Sequence, residues 1–259
     1  VSLEEDLIRR DLTINAMAFD EAGQLIDPYG GFQDLQLRVL RHVSPAFEED
    51  PVRLLRVARF AARFKVLGFT IAPETWSLMQ SMVGRGEVDA LVPERIFREF
   101  HKALLTEAPE VFLEVLRTTG ALSRIMPELD QLFGVPQDPL HHPEIDTGCH
   151  SLLVLQQAAR LSLDPSVRFS ALLHDLGKGL TDSFHWPYHP GHEAAGIRPL
   201  ETLCDRLKVP RSFSQLAKKV VLHHGTVHRA LELCAEALVE LIEQLDGFRQ
   251  PETLAAVLI

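Results

Sequence analysis

His174 and Asp175 stand side by side in Ala171-Leu172-Leu173-His174-Asp175-Leu176-Gly177-Lys178-Gly179, at the end of an apolar stretch. Imidazole and carboxylate are both metal ligands, and an unpaired charge in apolar surroundings is expensive. A metal ion would offset that cost by neutralising Asp175 and taking the lone pair of His174. The alternative is a helix-end histidine capped by its neighbour. A metal site needs distant partners, and the chain supplies His150, His192, His224 and Asp246. A di-metal phosphoester site draws several imidazoles and a bridging carboxylate from different helices of a bundle. Lys178 is either a charge for the phosphate or a solvated surface lysine. His141, His142, His185, His189, His223 and His228 read as loop or surface residues.

A second group of residues suits phosphate. Arg9-Arg10-Asp11-Leu12-Thr13-Ile14-Asn15 sets two guanidinium groups beside a carboxylate and an amide. The planar fork of arginine gives bidentate contacts to a triphosphate, and Asp11 and Asn15 could bond a ribose hydroxyl. The alternative is a surface salt bridge beside a β edge. Farther on, Arg53, Arg56, Arg59 and Arg63 recur every three or four residues after Asp50-Pro51. Asp50 and Arg53, one turn apart, offer an acceptor and a donor to the edge of a base. Asp50 could equally be a helix cap, and the arginines a solvated face.

These residues need elements to hold them. Residues 12–27 alternate loosely about the turn Glu21-Ala22-Gly23-Gln24, which predicts a strand pair. After Pro51, Val52, Leu55, Ala58 and Ala62 share one helix face. Pro93 and Pro109 open two further helices. Segment 134–149 has no period and is rich in Pro, His, Asp and Gly, so it reads as a linker. From Ser151 onward the text is helical, with His150 at the helix start, a His/Pro/Gly loop at 181–192 and a long helix at 231–245. The fold class is mainly α, with a small β portion at the start.

Composition bounds the function. The 259 residues are 46% hydrophobic and carry a formal charge of −10, with mean hydropathy near zero. That is long enough for two domains, and no apolar run approaches a membrane span. Three widely spaced cysteines fit small buried thiols in a reducing cytoplasm better than a disulfide framework. The acidic whole argues against a basic coat but leaves room for a local stripe that binds RNA. The first residue is Val, and the last ones lie inside a helix-like apolar stretch. The expectation is a fragment.

The ordered set His150, His174-Asp175, later histidines and Asp246 resembles the HD-domain metal-dependent phosphohydrolases. By that resemblance His150, His174, Asp175 and Asp246 hold a first metal, with His174 and Asp175 catalytic. His192 and His224 serve a second metal or bind phosphate. RRDLTINAMAFD at 9–20, DPYGG from 27, RHVSPAFEEDPVRLLRVARFAARF at 41–64, Pro93-Glu94-Arg95, HPEIDTG at 142–148 and LLHDLGKG at 172–179 resemble the bacterial class II tRNA nucleotidyltransferases. These are the CCA-adding enzymes, and the likeness is to the type that carries an HD domain.

The resemblance implies a cytoplasmic enzyme, monomer or homodimer, that adds C, C and A to tRNA 3′ ends from CTP and ATP. Arg10, Asp11, Asn15, Asp50, Arg53, Arg56 and Arg59 would bind nucleotide, with Asp50 and Arg53 as the protein template. Mg²⁺ is implied for nucleotidyl transfer, and Ni²⁺ or another divalent ion for an HD phosphatase and 2′,3′-cyclic phosphodiesterase. The expected divisions are a nucleotidyltransferase remnant at 1–45, a helical neck at 46–140, an HD domain at 147–248 and a further region at 249–259. The family's Gly-Gly loop and Asp-x-Asp pair are not in these residues, so only the HD activity is expected to survive in this piece. Three alternatives stand beside this: a poly(A) polymerase relative, a non-catalytic module binding tRNA or nucleotide, and a stand-alone HD hydrolase, which leaves residues 1–140 unexplained.

Overall fold

A capped helix begins the computed structural model, which describes residues 2–140 and 143–259. In α1 (Leu3–Leu7) the Ser2 hydroxyl accepts from the Glu5 backbone N–H, and the Glu5 carboxylate accepts in turn from the Ser2 N–H. This reciprocal cap uses two donors that a helix start leaves bare. The alternating segment then gives β1 (Ala18–Phe19) and β2 (Leu25–Ile26), paired antiparallel about the expected turn. After α2 (Gly31–Leu37) comes a pairing that the sequence pattern did not announce. β3 (Val39–Leu40) runs parallel to β4 (Thr70–Ile71), the strand beyond the next helix.

That helix, α3 (Val52–Phe64), buries Val52, Leu55, Ala58 and Ala62 as one face. It packs on α5 (Pro93–Leu104) and α6 (Glu110–Thr119), whose Phe100 and Phe112 rings stack 5.7 Å apart. α4 (Pro73–Gly84) adds Met79 and Met82 to the core, and α7 (Ala121–Ile125) ends this unit, which runs Val1–Ile125.

Among the described residues, the second unit, Met126–Ile259, is all helix apart from turns and one isolated bridge. It starts well before the expected linker, and the reason is visible in its bonds. Glu128 of α8 (Pro127–Asp130) forms a two-pronged ion pair with Arg206, and Val135 accepts from Thr147. Pro136 bridges to Asp146. The loop is therefore built into this unit.

α9 (Thr147–Leu161) begins before His150, because the Asp146 carboxylate caps it by accepting from the Cys149 N–H. α10 (Pro165–Leu173) lies against both α9 and α13 (Arg211–His228); α11 (His192–Ala195) and α12 (Ile197–Leu207) come between α10 and α13 in the chain and also pack on α13. Burial of Phe169, Leu172 and Leu173 makes α10 the central helix.

The expected long helix at 231–245 is shorter. Cys234 takes an extended conformation, so α14 spans only Ala235–Gln244, and α15 follows at Pro251–Val257. Of the cysteines only Cys204 is buried, where desolvation pushes its thiol up to about 12; Cys149 and Cys234 are exposed. Among the described residues no helix is long and apolar enough to cross a membrane.

Candidate metal centre and basic cleft

Asp175 follows the C-terminal turn of α10 and is 1% exposed. Four imidazoles from three other stretches and its own neighbour surround it. The Nε2 atoms of His174, His192, His224 and His150 lie 3.0, 3.3, 3.5 and 3.8 Å from its oxygens. Burial pushes the Asp175 carboxyl up, but the surrounding imidazoles, His174 foremost and then His192 and His224, hold it well below the ordinary value. None of these contacts has the direction of a normal hydrogen bond, and both oxygens stay buried without one.

The rings are keyed from behind. Nδ1 of His174 lies 2.8 Å from the Ala171 carbonyl, and that of His192 lies 2.9 Å from the His189 carbonyl. His224 faces the Val220 and Val221 carbonyls at 3.1 Å, and His150 faces Glu144 Oε1 at 2.5 Å. Each Nδ1 must therefore donate, which leaves the Nε2 lone pairs directed inward. His192 and His224 bring Nε2 atoms within 3.2 Å of one another, two inward-facing nitrogens placed to share a cation.

The donor atoms of His150, His174 and Asp175, and those of Asp175, His192 and His224, form two clusters within 4.8 Å that share the carboxylate. The donor set fits a divalent metal ion. Burial lowers the proton affinity of His192, but the closeness and charge of Asp175, with Glu193 behind, raise it overall.

Close packing places His192. A Cβ on Gly177 would meet the His192 carbonyl oxygen at 1.9 Å and the Gly196 nitrogen at 2.6 Å, so the turn Leu176–Leu180 presses directly on α11. His189 is not a surface residue: it is 1% exposed and hydrogen-bonds the Pro136 carbonyl and Thr181. His228 lines the same cavity of about 630 Å³ as the cluster, beside apolar Leu153, Val154 and Val220. Lys178 is buried, not solvated; its ammonium lies 2.7 Å from Asp175 and donates to Gln137.

Asp246 is not brought to this cluster. It sits in a left-handed turn after α14, 4.0 Å from Lys219 and 3.5 Å from Arg249. His141 and His142 lie outside the described residues.

The first unit contains a cleft of about 480 Å³ that gathers Arg10, Asp11, Asn15, Asp50, Arg53 and Arg56. Asp11 accepts from Arg56 at 2.7 Å and from Asn15 at 3.1 Å. Arg10 holds Asp6. Arg53 spends its donors on the Ala46 and Arg9 carbonyls. Asp50 accepts from the Val52 N–H as a cap does, and from Arg95 at 2.6 Å. Burial pushes the Asp50 carboxyl up, but the bonds from Arg95 and Val52 and the charges of Arg95 and Arg53 bring it below its ordinary value.

Arg59 is not on the cleft wall. It is 8% exposed and paired at 2.6 Å with Glu99, a residue that does line the cleft. Arg95 and Arg98 also line it and went unassigned in the sequence, although α5, opened by Pro93, already showed which helix carried them. Glu144 and Gln137 were hidden in the aperiodic segment. The only signal was a carboxylate shortly before His150.

Three families match the chain in order: "Poly A polymerase head domain" at 1–41, "Probable RNA and SrmB- binding site of polymerase A" at 68–133, and "HD domain" at 147–248. Curated relatives match across every part of it. The multifunctional CCA protein of Methylococcus capsulatus is 58% identical over 100% of this chain and 61% of its own length. That of Thioalkalivibrio sulfidiphilus is 58% identical, over 100% and 63%. The chain matches the multifunctional CCA proteins. It spans about three fifths of their length.

A crystal structure of tRNA nucleotidyltransferase complexed with a primer tRNA and an incoming ATP analog aligns with TM-score 0.66 and 25% identity, covering 100% of this chain and 68% of that one. A tRNA-processing enzyme with CTP shares the fold at TM-score 0.63 and 24% identity, over 100% and 68%.

Proposed function

We propose that the whole protein adds C, C and A to tRNA 3′ ends from CTP and ATP, and that its second unit is a separate phosphohydrolase. The four imidazoles keyed through Nδ1 toward one buried carboxylate carry the phosphohydrolase reading. His150, His174 and Asp175 would hold one divalent ion, with His192 and His224 at a second position sharing Asp175. Imidazole-rich sets suit nickel, zinc, copper and iron. A bound ion lowers the pKa of water enough to make it a nucleophile toward a phosphoester. Asp175 and Lys178 set the charge of the floor, and apolar Leu153, Val154 and Val220 exclude water from one wall. Asp246 is left out of this ligand set because its neighbours are Lys219 and Arg249.

In the first unit Arg10, Asp11, Asn15 and Arg56 would take the triphosphate and sugar, and Asp50 with Arg53 would face the base. That role requires Asp50 to leave Arg95, and Arg53 to release its carbonyls. Arg59 would act from behind by holding Glu99. Mg²⁺ is proposed for nucleotidyl transfer in the whole protein, in the cytoplasm as monomer or homodimer. The proposed divisions remain 1–45, 46–140, 147–248 and 249–259.

With Ni²⁺, the chain should hydrolyse 2′,3′-cyclic AMP, and His174→Ala and Asp175→Ala should each abolish turnover while remaining folded. Wild-type rates in either variant would move the chemistry elsewhere. The poly(A) polymerase descriptions matched at 1–41 and 68–133 favour a second reading, transfer of A alone. Incorporation of CTP by the whole protein separates the two.

A further inference from the structure

The loop before α9 closes a ring of polar contacts around the metal cluster. From Asp175 the ring passes to Lys178 Nζ at 2.7 Å, and from Lys178 to Gln137 Oε1 at 2.9 Å. Gln137 Nε2 then reaches Glu144 Oε1 at 3.4 Å, and Glu144 lies 2.5 Å from His150 Nδ1. His150 Nε2 returns to Asp175 at 3.8 Å. Both ends of the ring are cluster residues. Its middle comes from a segment whose sequence looks like a connector.

The loop is held in this shape at a cost. Ile145 has φ 62°, a left-handed conformation that a β-branched side chain rarely adopts. It is kept there by the Gln137 N–H donating to the Ile145 carbonyl at 2.7 Å, and by Asp146, which accepts from the Gly134 N–H at 2.6 Å and caps α9. Gln137 is 1% exposed, so its side-chain amide is oriented by Lys178 and Glu144 and not by water. Among the four cluster imidazoles, His174, His192 and His224 set Nδ1 against backbone carbonyls, with Glu193 farther off at 3.4 Å from that of His192, whereas the Nδ1 of His150 has a carboxylate at 2.5 Å. A carboxylate behind an imidazole fixes the ring and raises the electron density at its far nitrogen. His150 is also the farthest of the four from Asp175, so it gains most from such support.

We propose that Glu144, oriented by Gln137, is a positioning residue of the metal centre that aims His150 and strengthens it as a ligand. This rests on reading the cluster as a divalent-metal site. The test is calorimetric titration of the chain with Ni²⁺. Glu144→Ala should weaken Ni²⁺ binding roughly 10- to 100-fold. Glu144→Gln, which keeps an oxygen acceptor without the charge, should lose less.

In a His150→Ala background, Glu144→Ala should add no further loss, because the two act through one contact. A merely structural role would subtract equally in both backgrounds. Wild-type affinity in Glu144→Ala, or in Glu144→Gln should the alanine variant not fold, overturns the inference alone. Failure of the unmodified chain to bind Ni²⁺, Mn²⁺ or Zn²⁺ overturns the metal centre and the inference with it.

Discussion

At the scale of single residues, buried charges are informative because each must be answered. Glu99 is 2% exposed and is held by Arg59 at 2.6 Å and Lys102 at 3.0 Å. Burial pushes its carboxyl up, but bonds and charges from Lys102 and Arg59 outweigh that and lower it. A carboxylate with a lowered folded value contributes stability that is fully present above its ordinary value, about 4.3. That contribution is lost as pH falls through the lower folded value. Glu99→Gln leaves Arg59 buried against a neutral partner and should cost about 3 kcal/mol at pH 7, toward the low end for breaking a buried pair. Its urea midpoint should also fall less steeply than that of the wild type as the solution is made acid. Equal acid slopes would show that Glu99 carries no such linkage. The sequence showed Arg59 as one of a stripe, with nothing to mark it as the arginine turned inward. Glu99 lies forty residues away in the chain, and such pairs are set by how helices cross.

At the scale of elements, the legible parts were those governed by local rules. The apolar face of α3, the proline starts of α5 and α6, and the hairpin at β1–β2 follow from periodicity and turn chemistry. The β3–β4 pair and the ring through Gln137 and Glu144 were not legible, because each joins segments that only tertiary packing brings together. For the candidate site, the histidine types and order were visible, whereas the placement of Asp246 beside Lys219 was not. Gly177 shows how an element position becomes chemistry. Its hydrogen occupies the space through which the Leu176–Leu180 turn approaches α11. Gly177→Ala puts a methyl group 1.9 Å from a backbone oxygen that cannot swing aside as a flexible side chain would. It should cost about 1–3 kcal/mol of stability and weaken Ni²⁺ binding by moving His192. Gly191→Ala has open space around its Cβ but a φ of 74°, so its strain is confined to its own backbone and separates clash from conformation. An alanine at 177 with wild-type metal affinity would show that α11 is not positioned by this contact.

The whole molecule has two units with separate cores and separate polar centres, the basic cleft in Val1–Ile125 and the histidine cluster in Met126–Ile259. A ligand that binds only a folded state stabilises whatever unfolds with its site, by about 2.7 kcal/mol at a hundredfold excess over its dissociation constant. Each ligand should therefore act on one thermal transition. In scanning calorimetry Ni²⁺ should raise the transition of the second unit, and His174→Ala should remove that rise. CTP should raise the transition of the first unit, and Arg56→Ala should diminish that effect by freeing Asp11 and removing a cleft cation. A single transition raised equally by both ligands would mean that the units unfold together as one cooperative body. If Ni²⁺ still raised the second unit's transition in the His174→Ala variant, the metal would be binding elsewhere, and the imidazole cluster would lose its assignment. The acidic balance of −10 makes weak surface binding of cations a real competitor. The variant arm is thus the deciding one: surface carboxylates survive the loss of His174, and a built site does not.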